Sequence, residues 1–162
     1  MADLPGVAYL RTSRGDTPVI YSSDDEFPVG GCRVVRSSAA DQVTLVAAGV
    51  TLHEALAAAD ELDTEGIRAR VIDLYSIKPV DVATVREAAR DTGRIVTVED
   101  HWPQGGLGDA VLDVFADGGP APLLVKLAVR HMPTSATPVE QLQAAGIDRS
   151  TIAATVRGLF TR

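Results

Sequence analysis

Acidic and imidazole side chains that could transfer protons are concentrated in one stretch, VEDHWPQGGLGDAV, at positions 98–111. Glu99, Asp100 and His101 follow an apolar run that has the length of a strand. Parallel α/β folds place their functional loops at the carboxyl ends of strands. These three residues are therefore candidates for a site, although a tight polar corner would use the same residue types.

Three glycines come next and suggest a second kind of chemistry. Gly105, Gly106 and Gly108 lead into a predicted helix, and backbone N–H groups at a glycine-rich helix start can hold an anion. The pattern is G-G-x-G, however, whereas the dinucleotide fingerprint is G-x-G-x-x-G after a first strand. Glu99 and Asp100 would also repel a nearby phosphate. The residue pattern alone therefore favours a structural turn.

The remaining candidates are isolated in the sequence. His53 is predicted in the first turn of a helix and His131 just after a strand, and exposure to solvent is the simpler interpretation of both. The histidines do not have metal-ligand spacing, and no local signature of a Ser-His-Asp or Cys-His site is present. Arg11 and Arg14, in RTSR, bring two cations into an acidic chain, and arginine is well suited to phosphate recognition.

Length and composition bound the class of protein. The 162 residues, of which 46% are hydrophobic, predict one domain with a substantial core. A net charge of -7 disfavours nucleic acid and an anionic membrane surface as partners. The longest apolar run is too short to span a bilayer, and the start lacks the pattern of a signal peptide. The single cysteine, Cys32, excludes an intramolecular disulfide and favours a cytoplasmic location.

Two hydrophobic periods alternate along the chain from Val43 onward. Short apolar runs of strand length are interleaved with segments that place apolar residues on one helical face. The predicted strands are VTLVAAG, IRARVIDLYSI, RIVTVE and APLLVKLAV. The predicted helices are TLHEALAAADELDTEG, DVATVREAARDTG, GLGDAVLDVFADGG, TPVEQLQAAG and DRSTIAATVRGLF.

Capping residues support three of these helices. Thr51 with Glu54 has the spacing of a capping box, and Thr137 with Glu140 repeats it. Asp81 is predicted to cap the helix that begins at DVATV.

Strands that alternate with helices predict parallel βαβ units with right-handed crossovers. The strands are apolar almost throughout, which indicates a sheet covered on both faces. We therefore expect a three-layer α/β sandwich over residues 43–162. Residues 1–42 are rich in Pro, Gly, Ser and Asp and are predicted to form an extended linker.

Five segments closely resemble the C-terminal part of transketolases: YLRTSR, DQVTLVAAGVTLHEALAAADEL, RVIDLYSIKPVD, GRIVTVEDHWPQGGLGDAV and GIDRSTIAATVRGL. The resemblance covers nearly the whole chain and keeps the family's order of motifs. It implies a mixed, mostly parallel sheet of five strands, one of them antiparallel. Over residues 1–42 it implies the end of a pyrimidine-binding domain followed by a linker.

Transketolases transfer a two-carbon ketol unit between sugar phosphates in the pentose phosphate pathway, using thiamine diphosphate and Mg²⁺. The resemblance implies a cytoplasmic homodimer whose cofactor is bound by two preceding domains. This chain lacks their GDG motif and their activating glutamate. We therefore expect the chain to be inactive and to bind no cofactor alone. Its partners would be those N-terminal domains, in the same chain or in a split subunit.

Few functional residues of the family fall within this sequence. Arg14, in TSR, matches the arginine that binds the substrate phosphate. The glycine turn matches the family signature EDH…GG.G, for which no catalytic role can be transferred. A loop or interface role is predicted for its members: Glu99, Asp100, His101, Gly105 and Gly106. The whole domain is expected to have a structural and dimerisation role.

Two other interpretations stay open on the sequence. Deoxyxylulose-phosphate synthase and the β subunit of 2-oxoacid decarboxylases share the domain fold, although RTSR and VTLHEALAAADEL are closer to transketolases. A free-standing binding or regulatory module is the alternative from a different class, because a fold does not fix a function.

Overall fold

The computed structural model describes residues 5–10 and 16–161, and it divides them into strands and helices as follows. The strands are β1 (Arg33–Arg36), β2 (Val43–Ala47), β3 (Ala69–Asp73), β4 (Arg94–Glu99) and β5 (Leu123–Ala128). The helices are α1 (Val50–Thr64), α2 (Val82–Thr92), α3 (Leu107–Asp113), α4 (Pro138–Ala145) and α5 (Arg149–Gly158). The third helix ends before the FADGG segment that the sequence pattern included.

The strands form one sheet in the order β1-β3-β2-β4-β5. β1 runs antiparallel to β3, and the other neighbouring pairs are parallel. The sheet has helices on both faces, so the predicted three-layer α/β sandwich with one antiparallel strand is confirmed.

Each face of the sheet carries its own apolar core. Side chains from α1 and α5 pack on one face, over Leu45, Val71 and Val96. Side chains from α2 and α3 pack on the other face, over Ile72 and Ile95. Alternate residues of a strand point to opposite faces, which explains why these strands are apolar throughout.

Two of the three predicted caps are confirmed. The Asp81 side chain accepts a hydrogen bond from the Thr84 amide at 3.0 Å, at the start of α2. Thr137 and Glu140 form a complete capping box at the start of α4. These contacts satisfy amides that have no partner within the helix.

The predicted capping box of Thr51 with Glu54 is wrong. α1 begins two residues earlier, with Gly49 at the N-cap and no side-chain cap. Thr51 is buried, and its hydroxyl lies 2.9 Å from the carbonyl oxygens of both Ala48 and Val98. The threonine thus links the start of α1 to the end of β4.

The segment before Val43 contributes to the sheet. Strand β1 lies within residues 1–42, which the sequence pattern assigned to a linker. Upstream of β1, the Phe27 ring makes edge contacts with Tyr21 and Tyr75, with centroids 4.9 and 5.0 Å apart. Part of this segment therefore lies against the α/β domain, and a domain boundary at residue 42 stays a prediction.

Candidate functional site at the carboxyl edge of the sheet

The topology opens a crevice at the carboxyl ends of β2 and β4. The chain leaves β2 towards β3 on one side and leaves β4 towards β5 on the other. Open α/β sheets bind ligands at such switch points. A pocket of about 290 Å³ lies here. It is lined by Ala48, Ile77, Val98, Glu99, Asp100, His101, Gly105, Gly106 and Leu107.

Glu99 is the buried acid of this crevice. The residue is 4% exposed, and its Oε1 accepts a hydrogen bond from the Gly108 amide at 3.3 Å. Its Oε2 is also buried and has no hydrogen-bond partner among the described residues. Burial raises the pKa of the Glu99 carboxyl, against the opposing effects of amide hydrogen bonds and of the Lys126 and His101 side chains.

The packing of Glu99 explains two of the glycines. A Cβ at Gly106 would lie 1.9 Å from Glu99 Oε2 and 2.8 Å from His101 Nδ1. A Cβ at Gly108 would lie 2.7 Å from Lys126 Cε and 2.9 Å from Glu99 Oε1. All four distances are shorter than a Cβ atom can approach, so the turn needs glycine at these two positions for close packing.

A lysine on β5 holds the other side of the turn. Lys126 forms an ion pair with Asp109, and its Nζ donates a hydrogen bond to the Pro103 carbonyl at 2.5 Å. Asp109 also accepts a hydrogen bond from the Gly105 amide at 2.6 Å. The hydrogen bond from Lys126 holds the pKa of the Asp109 carboxyl below its usual range. Gly105 has a φ of 72°, a backbone conformation that favours glycine.

His101 and Asp100 lie at the exposed mouth of the crevice. His101 Nδ1 is 2.7 Å from the Trp102 carbonyl oxygen, and the His101 carbonyl accepts a hydrogen bond from the Val129 amide at 2.9 Å. These contacts hold the histidine in place beside Glu99.

The turn cannot cradle a phosphate as the glycine pattern alone would allow. The Glu99 carboxylate already accepts the Gly108 amide at the start of α3, and a second anion there would meet its charge. The structure does bring Glu99, Asp100, His101, Gly105 and Gly106 together around one crevice. Their predicted loop or interface role stays a prediction.

A second buried acid lies on the far side of β2, and the sequence analysis missed it. Asp73 ends β3, is 5% exposed and accepts a hydrogen bond from the Tyr21 hydroxyl at 2.7 Å. Burial raises the pKa of Asp73, and burial together with Asp73 raises that of Tyr21. Both residues line a pocket of about 320 Å³ that also contains His53. The sequence did contain a signal for this site, because Asp73 is an acidic residue at the end of an apolar strand.

Arg14 and His131 are the remaining predicted residues. Arg14 lies outside the described residues. His131 is exposed in the loop after β5. Within residues 5–10 and 16–161, no group of three or more His, Cys, Asp or Glu side chains is arranged to hold a metal ion. The described residues therefore show no ready cluster of side-chain ligands for Mg²⁺. No described helix is both long and apolar enough to cross a membrane.

Comparisons with known proteins agree with the fold. The family model described as "Transketolase, C-terminal domain" matches residues 30–152. The chain is 48% identical to human transketolase over 162 residues, covering 99% of this chain and 26% of that protein. It is 46% identical to bovine transketolase-like protein 1 over 147 residues, covering 90% of this chain and 24% of that protein. The chain thus spans about a quarter of the length of these relatives.

Solved structures give the same result. A structure titled "Split gene transketolase, inactive beta4 tetramer" superposes with a TM-score of 0.81 at 39% identity, covering 89% of this chain and 46% of that one. Transketolase from Campylobacter jejuni superposes with a TM-score of 0.59 at 13% identity, covering 80% of this chain and 18% of that one, and it supports the fold alone. Because the family model matches most of its residues, this chain belongs to the transketolase C-terminal domain family.

Proposed function

We propose that this chain is the C-terminal domain of a cytoplasmic transketolase, an enzyme that transfers a two-carbon ketol unit between sugar phosphates. The observation that carries the proposal is the 48% identity to human transketolase over 162 residues. Relatives named transketolase or transketolase-like protein, at 44–48% identity, favour this activity over those of the related thiamine enzymes.

The chain would act together with domains that it does not contain. It covers 26% of human transketolase, so most of such an enzyme would lie in other domains. Thiamine diphosphate and Mg²⁺ would therefore be bound by the N-terminal domains, whether these precede it in one chain or form a split subunit. The role of this chain would be to support a homodimer and to contact the substrate phosphate.

Calorimetry and reconstitution test the proposal. Titration of the chain with thiamine diphosphate and Mg²⁺ should give no specific binding, and the chain alone should transfer no ketol unit. Mixing or fusing it with the thiamine-binding domains of a transketolase should produce activity on sugar phosphates. If the isolated chain bound thiamine diphosphate with a micromolar dissociation constant, a binding free energy of about -8 kcal/mol, the assignment of cofactor binding to the other domains would be wrong. An inactive fusion that is folded and dimeric would contradict the assigned activity.

Arg14 gives a sharper test of the substrate class. A guanidinium presents a planar fork to a phosphate, and a hydrogen bond to a charged group contributes about 1.5–3 kcal/mol. In the complete enzyme, Arg14→Ala should lower kcat/KM for sugar phosphates roughly 10- to 100-fold. Unphosphorylated sugars should lose much less. Equal losses for both would assign Arg14 a structural role, such as an ion pair with Asp16 or Asp24.

A further inference from the structure

The segment of residues 16–32, just before β1, takes a defined path although it buries little apolar surface. It contains neither a helix nor a strand, and the side chains of Val19 and Val29 are 91% and 84% exposed. Fixing the backbone of one residue costs about 1–2 kcal/mol of conformational entropy. Burial of aliphatic side chains does not offset that cost here, so specific contacts must do so.

Five side chains supply the main contacts, and we call them the aromatic clasp: Tyr21, Phe27, Arg33, Asp73 and Tyr75. The Phe27 ring lies between the two tyrosines, with centroids 4.9 Å from Tyr21 and 5.0 Å from Tyr75, in edge-to-face geometry. The Arg33 guanidinium lies 5.8 Å from the Tyr21 centroid and 5.3 Å from the Phe27 centroid. Aromatic pairs and cations above ring faces both attract beyond their buried area.

A buried carboxylate joins the aromatic clasp to the sheet. Asp73, at the end of β3, is 5% exposed and accepts a hydrogen bond from the Tyr21 hydroxyl at 2.7 Å. The other oxygen of Asp73, Oδ1, is buried without a partner among the described residues. Loss of the Tyr21 hydroxyl would therefore leave the whole carboxylate unpaired, which is costly in a buried position. This cost holds Tyr21 in one place.

The downstream part of the segment is fitted to the loop after β3. The Gly30 amide donates a hydrogen bond to Ser76 Oγ at 2.8 Å, and the Tyr75 hydroxyl donates one to the Pro28 carbonyl at 3.3 Å. A Cβ at Gly31 would lie 2.3 Å from the Tyr75 hydroxyl oxygen, so glycine is needed there. The segment is thus attached to the domain at two places, at Tyr21 and at residues 28–31.

The upstream part of the segment lies at the start of α1. Residues 17–21 line a pocket of about 320 Å³ together with Gly49, Val50, Leu52, His53 and Asp73. Tyr21 is the first of the described residues whose side chain hydrogen-bonds to the α/β domain. The chain ahead of Tyr21 therefore depends on the aromatic clasp for its attachment.

We propose that the aromatic clasp is a positioning device for the chain that precedes it, including Arg14 seven residues before Tyr21. When Tyr21 is held, the preceding residues have fewer positions to explore. Less entropy is then lost when a group on them engages a substrate. The part of this inference that concerns the substrate rests on the proposed function, in which Arg14 contacts a phosphate.

NMR relaxation of the 162-residue chain tests the clasp without any substrate. Backbone order parameters of Thr17, Val19 and Ile20 should lie near the rigid value of about 0.85, and Tyr21→Phe should lower them to below about 0.6. Tyr9→Phe is the matched control, since Tyr9 is 85% exposed, and it should change none of them. Unchanged order parameters in Tyr21→Phe would overturn the proposal.

A second variant decides the question if Tyr21→Phe does not fold. Phe27→Leu removes both edge contacts, and Phe27 is 42% exposed, so the fold should tolerate the change. The order parameters of residues 17–20 should fall in this variant as well. Residues 17–20 that stay as rigid as in the parent chain would show that the clasp does not hold them.

Kinetics of the complete enzyme separate positioning from simple structural support. Tyr21→Phe should raise KM for a sugar phosphate roughly 3- to 10-fold and leave kcat near that of the parent, because it weakens binding alone. Values for the unphosphorylated sugar should hardly change. In an Arg14→Ala background, Tyr21→Phe should add little, since the group that it positions is gone. An equal added loss in both backgrounds, or an equal loss for both sugars, would overturn the positioning role.

Failure of the proposed function would look different from failure of the clasp. A folded, complete protein that transfers no ketol unit would contradict the proposed function. The order parameters of the isolated chain would still decide whether the aromatic clasp holds residues 17–20, because that measurement needs neither substrate nor cofactor.

Discussion

Substitution of Gly106 by alanine gives the most direct test of how the glycine turn is built. A Cβ at this position would lie 1.9 Å from Glu99 Oε2 and 3.0 Å from Glu99 Cδ. Gly106 has φ -100° and ψ -159°, an extended conformation that any residue can adopt. Backbone strain therefore contributes little, and the cost comes from the contact with a side chain that is 4% exposed.

The expected loss follows from two opposing effects. Overpacking of a well-packed interior costs about 1–3 kcal/mol. Replacing glycine by alanine also reduces the entropy of the unfolded chain, which offsets about 0.4–1 kcal/mol. We expect Gly106→Ala to lower the free energy of unfolding by roughly 1–2 kcal/mol. For a domain of this size, the melting temperature should fall by about 2–8 °C.

Urea unfolding of Gly106→Ala beside Gly119→Ala measures the effect. Gly119 has no heavy atom within 4 Å of an added Cβ and does not have a positive φ, so its substitution should be neutral or slightly stabilising. In a Glu99→Ala background, Gly106→Ala should cost little, because the clashing carboxylate is gone. Equal effects of the two glycine substitutions, or an undiminished loss without Glu99, would refute the packing argument.

Three further predictions concern the acids and the caps. Tyr21→Phe removes the donor to the buried Asp73 and should cost about 1–3 kcal/mol of unfolding free energy, whereas Tyr9→Phe, 85% exposed, should cost almost nothing. The pKa of folded Glu99 lies above its ordinary 4.5, so unfolding free energy should fall as pH rises from about 4.5 to the folded pKa. Urea midpoints between about pH 4 and 7 should show a weaker decline in Glu99→Gln than in Glu87→Gln. Thr137→Ala should destabilise α4 by about 1 kcal/mol and speed amide exchange within Pro138–Ala145, whereas exchange in β4 should stay unchanged. The control Thr134→Ala should change neither the stability nor the amide exchange of α4.

The alternation of strands and helices could be predicted because each element has its hydrophobic period and its capping residues within its own segment of the sequence. Asp81 and Thr137 cap their helices through contacts three residues away, which the sequence displays directly. Thr51 has the same local spacing, but its hydroxyl contacts the Val98 carbonyl, 47 positions later, instead of capping α1. A capping pattern cannot reveal such a competing tertiary contact.

Strand β1 and the interior of the crevice depend on contacts between distant segments. RVVR is only four residues long and lies in a segment rich in turn-forming residues, so pairing with β3 is what makes it a strand. The sequence placed Glu99, Gly106 and Gly108 in one turn. It could not show that the glutamate carboxylate occupies the space that a Cβ would need, because that requires the turn to fold back on itself.

Because β1 runs antiparallel to β3, its first residue determines the edge of the sheet at which the preceding segment of the chain arrives. Arg33 pairs with Asp73, so the chain enters the sheet at the carboxyl edge, and residues 17–21 line a pocket at that same edge. A group linked to the same chain is held at a local concentration that can reach the millimolar range. Any group carried ahead of residue 16 would therefore meet the edge that contains Glu99 and Asp73 without diffusing from bulk solvent. Contacts too weak to persist between separate molecules could be sustained there by proximity alone.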